Sequence, residues 1–169
     1  DPKGALRRLW LKFPFGSYEL RMDWDIFQKP AYAYGIYHAA ELAKKLGHDR
    51  LSVIEFGVAS GHGLLIMEQR AAEVEQIFGI KIEVYGFDTG SGLPPASDYR
   101  DLPNVWSYGQ FEMDEPKLRQ KLSRAHLVIG NVLETVKQFS AMNPAPVGFD
   151  SFDMDYYSST IAGMKLFEG

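Results

Sequence analysis

A glycine-rich turn followed by a single acidic residue has the strongest chemical signature in the sequence. The turn runs from Gly57 to Gly63 and contains three glycines, and Asp88 follows 25 residues after it. Glycine allows a tight turn and lets a ligand approach the backbone, and a helix that begins there offers free N–H groups to an anion. The turn therefore predicts a site for an anionic or carboxylate-bearing ligand.

Asp88 indicates which ligand the turn would bind. A carboxylate at the end of the second strand of a strand–helix–strand unit accepts hydrogen bonds from ribose hydroxyls. The alternative is a turn cap, because Thr89, Gly90 and Ser91 follow Asp88. The combination favours an adenosine-type ligand. The spacing G-x-x-x-G-x-G, read from Gly57, differs from the dinucleotide fingerprint G-x-G-x-x-G and disfavours NAD or FAD.

Asp153 and Asp155 form a second group, at the end of the fourth predicted strand. If that strand stayed regular, both side chains would point to the same face. Two like charges there require a proton or a cation between them, and Mg²⁺ or Ca²⁺ prefers carboxylate oxygens and polarises a substrate hydroxyl. This spacing predicts Asp153 as a metal ligand and Asp155 as a ligand or general base. In the alternative, Asp155 caps the next helix and Asp153 bonds to backbone.

Alternating strands and helices must position these residues. Hydrophobic periodicity predicts strands at 51–56, 81–87, 125–129 and 147–154, and helices at 31–46, 64–78, 115–123, 133–139 and 158–167. This alternation predicts an α/β fold: a doubly wound, Rossmann-like parallel sheet with helices on both faces. Such sheets normally have more than four strands, so we expect the domain to be truncated at the C-terminus, with later strands missing.

Two regions differ in character along the chain. Residues 1–30 are aromatic and are broken by Pro14, Gly16 and Pro30, which predicts an irregular N-terminal arm or lid that packs its rings on the body. Residues 31–169 would form the incomplete Rossmann-like domain. The arm is expected to serve as a substrate lid or as a dimer contact.

Composition limits the partners. With 46% hydrophobic and 24% charged residues, the chain can form one globular domain. No cysteine is present, which excludes disulfides, thiolate metal sites and cysteine nucleophiles. The net charge of −4 provides no basic field for nucleic acid, and no apolar run or signal peptide indicates a membrane. We expect a cytoplasmic protein with a small-molecule substrate, and a homo-oligomer is left open.

Four motifs in succession resemble those of a known family. They are Glu55-Phe56-Gly57-Val58 with Gly61; Gly86-Phe87-Asp88-Thr89 leading into Gly92-Leu93-Pro94; Gly130-Asn131-Val132 with Glu134-Thr135; and Asp153-Met154-Asp155-Tyr156-Tyr157 with Ser159-Thr160. Their order, over about residues 51–167, resembles that of the macrocin O-methyltransferase-like class I methyltransferases. The chain departs from the pattern at Phe152, where many members of that family have histidine.

This resemblance implies methyl transfer from S-adenosylmethionine to a small-molecule acceptor, such as a sugar hydroxyl. It implies that Glu55 and the glycine turn hold the methionine part, that Asp88 holds the ribose, and that Asn131 lies near the adenine. Metal-dependent members use the matching strand-end aspartate, which implies Mg²⁺ at Asp153. The full set of expected cofactor-binding residues is Glu55, Gly57, Val58, Ser60, Gly61, Gly63, Asp88, Thr89 and Asn131.

Two other functions remain open on the sequence. A non-catalytic Rossmann-like module that binds an adenosine ligand or a protein partner would keep the turn and Asp88, but it would show no metal response at Asp153 and Asp155. An NAD-type oxidoreductase ranks lower, because the turn lacks the dinucleotide spacing.

Overall fold

The computed structural model describes residues 2–168. Within them the chain forms seven α-helices and four β-strands. In chain order these are α1 Pro2–Lys12, α2 Tyr18–Asp23, α3 Pro30–Lys45, β1 Arg50–Phe56, α4 His62–Phe78, β2 Lys81–Asp88, α5 Glu115–Lys121, β3 His126–Ile129, α6 Val132–Ala141, β4 Val147–Phe152 and α7 Tyr157–Met164. No helix in this part of the chain is long and apolar enough to cross a membrane.

The four strands form one parallel sheet in the order β3-β2-β1-β4. β1 lies inside the sheet, and six of its seven residues are buried, as expected for a parallel strand that is covered on both faces. The chain moves outward from β1 to β2 and β3, then returns to the other side of β1 as β4. The predicted doubly wound, Rossmann-like sheet is confirmed, and β1 and β4 flank the point at which the strand order reverses.

Alternate side chains of β1 pack into two different hydrophobic cores, one on each face of the sheet. Leu51 and Val53 pack into the larger core, which α3, α4 and α5 cover. Ile54 and Phe56 pack into a second core with residues of α6, including Phe139. Because side chains alternate between faces along a strand, Glu55 continues the series of Leu51 and Val53. Its carboxylate therefore lies on the face covered by α3 and α4.

The N-terminal segment is helical, so the prediction that it is irregular was wrong, while its role as an arm or lid stays a prediction. α1 and α2 occupy most of it, and the hydroxyl of Ser17 caps α2 by accepting from the backbone N–H of Leu20. Pro14 and Gly16 lie between the two helices, so neither residue interrupts a helix. Farther along, Tyr18 and Phe27 are buried in the larger core.

β4 ends two residues before the predicted position. The strand stops at Phe152, so Asp153 and Asp155 lie in the loop that leads to α7. The regular strand that would have placed both side chains on one face does not extend that far.

Candidate ligand-binding site

A cavity of about 380 Å³ opens where the carboxyl ends of β1, β2 and β4 meet. Open α/β sheets bind ligands at this edge, next to the point at which the strand order reverses. Of the eleven residues expected at the site, only Gly61 does not line the cavity. The lining residues among them are Glu55, Gly57, Val58, Ser60, Gly63, Asp88, Thr89, Asn131, Asp153 and Asp155.

Glu55 is the most deeply buried charged group at the cavity, with 1% of its surface exposed. Its Oε1 accepts a hydrogen bond of 2.6 Å from the hydroxyl of Tyr32 in α3. Its Oε2 is buried and has no hydrogen-bond partner among residues 2–168. Burial raises the pKa of Glu55 to about 7, although the Tyr32 hydrogen bond and the nearby Lys29 ammonium oppose this rise. Oε2 is therefore an acceptor that a donor group of a ligand can satisfy.

The turn after β1 needs its glycines for internal packing. Gly57 has a φ of +88°, and a Cβ there would clash with the backbone of Asp153. The space beside Gly61 is filled by the side chain of Leu118, and the space beside Gly63 by the carboxylate of Glu55. Protein groups thus fill the space through which a ligand was expected to approach Gly61 and Gly63. The backbone of Gly63 still borders the cavity.

Asp88 fixes the glycine turn to the end of β2. Its Oδ2 accepts from the backbone N–H groups of Val58 at 2.8 Å and Ala59 at 2.9 Å, and its Oδ1 accepts from Gly90 at 2.7 Å. This is the turn-cap alternative that the sequence left open. A carboxylate offers about four acceptor positions. One remains for a ribose hydroxyl, so ribose binding stays a prediction.

Asn131 caps a helix at the far side of the cavity. Its side-chain oxygen accepts from the backbone N–H of Leu133 at 2.9 Å, which makes it the N-cap of α6. That bond uses only the oxygen, so the amide nitrogen remains as a donor toward a base edge. Nearby, the hydroxyl of Thr89 donates to the carbonyl of Gly92 at 2.6 Å and stabilises the start of the following loop.

Lys29 contacts the acidic loop after β4. Its Nζ lies 3.4 Å from Oδ2 of Asp153. Asp155 is not a helix cap, because α7 has Tyr156 as its N-cap residue, without a side-chain hydrogen bond. Burial, together with the negative charge of Asp153, raises the pKa of Asp155.

The residues around Asp153 do not fit a divalent cation. Between residues 2 and 168, no group of three or more histidine, aspartate or glutamate side chains is close enough to hold one. The group that pairs with Asp153 is already a cation. The prediction of magnesium at Asp153 is therefore not supported.

A long loop, residues 89–114, closes one side of the cavity. Backbone hydrogen bonds of 2.8 Å join Leu93 to Gln110 and Gly109 to Leu93, and they form its neck. Its buried Asp101 accepts from the backbone N–H of Ser158 at 2.8 Å and from the hydroxyl of Ser158 at 2.9 Å. The loop is thus attached to the first turn of α7, beside Asp155.

Sequence reasoning missed Lys29, Tyr32 and Asp101. One signal could have located the first two. Pro30 at the start of α3 marks a helix beginning. A helix that precedes β1 through a short connection and packs on the sheet must begin near the carboxyl edge of β1. Asp101 carries no comparable signal, because its partner Ser158 lies 57 residues away in the chain.

Comparison with known proteins identifies the fold. No protein-family profile matches the chain, and no curated protein matches it in sequence. A crystal structure of CalS11, a calicheamicin methyltransferase, superposes with a TM-score of 0.59 at 19% identity, over 99% of this chain and 72% of that one. An apo structure of CalS11, described as a TDP-rhamnose 3′-O-methyltransferase of calicheamicin biosynthesis, gives 0.48 at 18% identity, over 98% and 71%. The first superposition shows that the chain shares its Rossmann-like α/β fold with a methyltransferase; the second is too loose to add to this.

Proposed function

We propose that this chain binds S-adenosylmethionine and transfers its methyl group to a hydroxyl of a small-molecule acceptor. The observation that carries the proposal is the buried Oε2 of Glu55, which has no hydrogen-bond partner among the described residues and lies at the cavity beside the strand-order reversal. A buried carboxylate oxygen without a partner is costly unless a ligand supplies a donor. The ammonium of the methionine part is a donor of the required charge.

The remaining residues fit the rest of that ligand. Asp88 keeps one acceptor position for a ribose hydroxyl, and Asn131 keeps a donor for the adenine. The cavity volume of about 380 Å³ lies within the usual range for small-molecule clefts. The shared fold with CalS11, a calicheamicin methyltransferase, supports a methyl-transfer reaction over other chemistries of this fold.

The protein would contribute mainly alignment and proton handling. S-adenosylmethionine, when bound, supplies an already activated methyl group. The turn, Glu55 and Asp88 fix its position, and the loop 89–114 restricts water on one side. Asp155 is a suitable proton acceptor, because burial and the nearby charge of Asp153 raise its pKa toward neutral pH. It would take the proton of the acceptor hydroxyl.

Calorimetric titration with S-adenosylhomocysteine tests the proposal. We expect binding to the wild type, and a loss of about 10- to 100-fold in Glu55→Gln, since a hydrogen bond to a charged group contributes roughly 1.5–3 kcal/mol. Glu112→Gln, an exposed glutamate of the loop, is the matched control and should bind like the wild type. Asp88→Ala is a less specific probe, because it would also release the turn.

Failure of the wild type to bind S-adenosylhomocysteine would contradict the methyltransferase proposal. Binding of NAD in its place would support the oxidoreductase alternative. The far-UV circular dichroism of each variant should match that of the wild type, so that lost affinity is not mistaken for lost fold.

A further inference from the structure

Lys29 places a positive charge between the two acidic parts of the cavity. Its ammonium donates to the hydroxyl of Tyr32 at 3.2 Å and lies 3.4 Å from Oδ2 of Asp153 and 3.9 Å from Oε1 of Glu55. The side chain is 31% exposed and lines the cavity. One ammonium thus contacts the exposed acid of the β4 loop and approaches the buried acid of β1.

The backbone holds Lys29 at this position. Its φ of 50° and ψ of 70° lie in the left-handed region, which is unfavourable for a residue with a side chain. Its carbonyl accepts from the N–H groups of Tyr32 and Ala33, and Pro30 follows it in the first turn of α3. The backbone of Lys29 is thus fixed at the start of α3.

We propose that Lys29 is the resident cation of the acceptor end of the site, where it positions Asp153 and excludes a divalent metal ion. The proposal rests on the function proposed above. An ion bound to Asp153 would lie within a few ångströms of the ammonium, where like charges repel; because the Asp153 side chain is 65% exposed, water screens part of this repulsion. Lys29 would thus take the place that magnesium was expected to fill.

The pair also favours one class of acceptor. An ammonium has three N–H donors, and Tyr32 and Asp153 account for two of them. The third is available to an oxygen in the cavity, while Asp153 offers an acceptor beside it. One donor next to one acceptor complements a hydroxyl group, which is the acceptor that the proposed function requires.

Binding of Mn²⁺, followed by electron paramagnetic resonance without any cofactor, tests the exclusion of metal. We expect the wild type to bind Mn²⁺ more weakly than about 1 mM. Lys29→Met keeps most of the length of the side chain but removes its charge, and it should bind the ion at least about tenfold more tightly. Lys29→Arg should behave like the wild type, because it restores the charge. Lys45→Met, which removes an exposed lysine of the same helix, is the control.

Tight Mn²⁺ binding by the wild type would overturn the inference, and so would a Lys29→Met variant that binds no better than the wild type. A gain of affinity in Lys45→Met as large as that in Lys29→Met would also overturn it, since the effect would then follow net charge. S-adenosylhomocysteine titrations of the same samples report on the proposed function separately. Cofactor binding together with tight Mn²⁺ binding would leave that function standing and remove only the role of Lys29.

Discussion

Glu55 is expected to make ligand binding depend on pH. Its pKa of about 7 means that much of the population is protonated near neutrality, whereas an ammonium ligand pairs with the ionised form. Affinity for S-adenosylhomocysteine should therefore rise with pH, by about fivefold from pH 6 to pH 7, and level off above pH 7, with proton release on binding that falls from nearly one per event at pH 6 to nearly none at pH 8. Calorimetry between pH 6 and pH 8, in buffers of different ionisation enthalpy, measures both effects. Affinity that does not change with pH in the wild type would contradict this assignment.

The same group predicts how the stability of the free protein changes with pH. The folded pKa of Glu55 lies above its ordinary value of 4.5, so the folded state keeps a proton that the unfolded state loses. The resulting stabilisation is complete below pH 4.5 and is lost as the pH rises to about 7. Between these limits the free energy of unfolding of Glu55→Gln should gain up to roughly 3 kcal/mol relative to the wild type. Urea denaturation of both proteins at several pH values measures this, and a constant difference would argue against it.

Single residues of the site were only partly predictable from the sequence. Asp88 was located because an acid at the end of the strand after a glycine turn is a local pattern, whereas the role of Glu55 was implied by the family resemblance. The sequence did not show why the turn needs glycines, since Leu118 and the Asp153 backbone reach the turn from distant parts of the chain. Lys29 also acts across the fold, and its contact with Asp153 spans 124 residues.

The buried Asp101 helps to attach the loop 89–114 to α7. Asp101 accepts from the backbone N–H groups of Ser97, Asp98 and Ser158 and from the hydroxyl of Ser158. Asp101→Asn replaces one of its acceptor oxygens with a donor that faces other donors. We expect a loss of about 1–3 kcal/mol in the free energy of unfolding.

Hydrogen exchange locates the effect of Asp101→Asn. Amides of the loop and of the first turn of α7 should exchange faster than in the wild type, while those of β1 change only as far as global stability does. Glu112→Gln makes the same chemical change at an exposed position of the loop and should leave exchange unaffected. Uniform acceleration across the whole chain would show that Asp101 does not act locally.

The sequence predicted helices and strands more accurately where the layers packed on either side of an element determine its hydrophobic pattern. The strand predicted at 51–56 became β1, Arg50–Phe56, and the helix predicted at 31–46 became α3, Pro30–Lys45. The pattern failed at residues 1–30, because α1 and α2 expose large apolar side chains such as Leu6, Leu9 and Leu20. A helix that buries only part of its apolar surface has no clear periodicity of burial.

Ligand binding should stabilise the molecule as a whole. A ligand that binds only the folded state contributes about 2.7 kcal/mol at a hundredfold excess over its Kd. For a chain of 169 residues this corresponds to a rise in Tm of roughly 5–10 °C. Differential scanning calorimetry with S-adenosylhomocysteine should show this rise. NAD at the same concentration should not, and an equal rise with NAD would contradict the specificity proposed here.

The glycine turn limits which sequence changes are possible in related chains. Gly57, Gly61 and Gly63 are required by the backbone of Asp153, the side chain of Leu118 and the carboxylate of Glu55, whether or not a ligand is present. A related chain that had lost the activity would still keep the glycine turn, because the fold depends on the turn. Half-exposed Lys29 fills no such packed space, and its side chain can change without loss of the turn. In related chains, this position would distinguish a chain that keeps the site from one that has lost it.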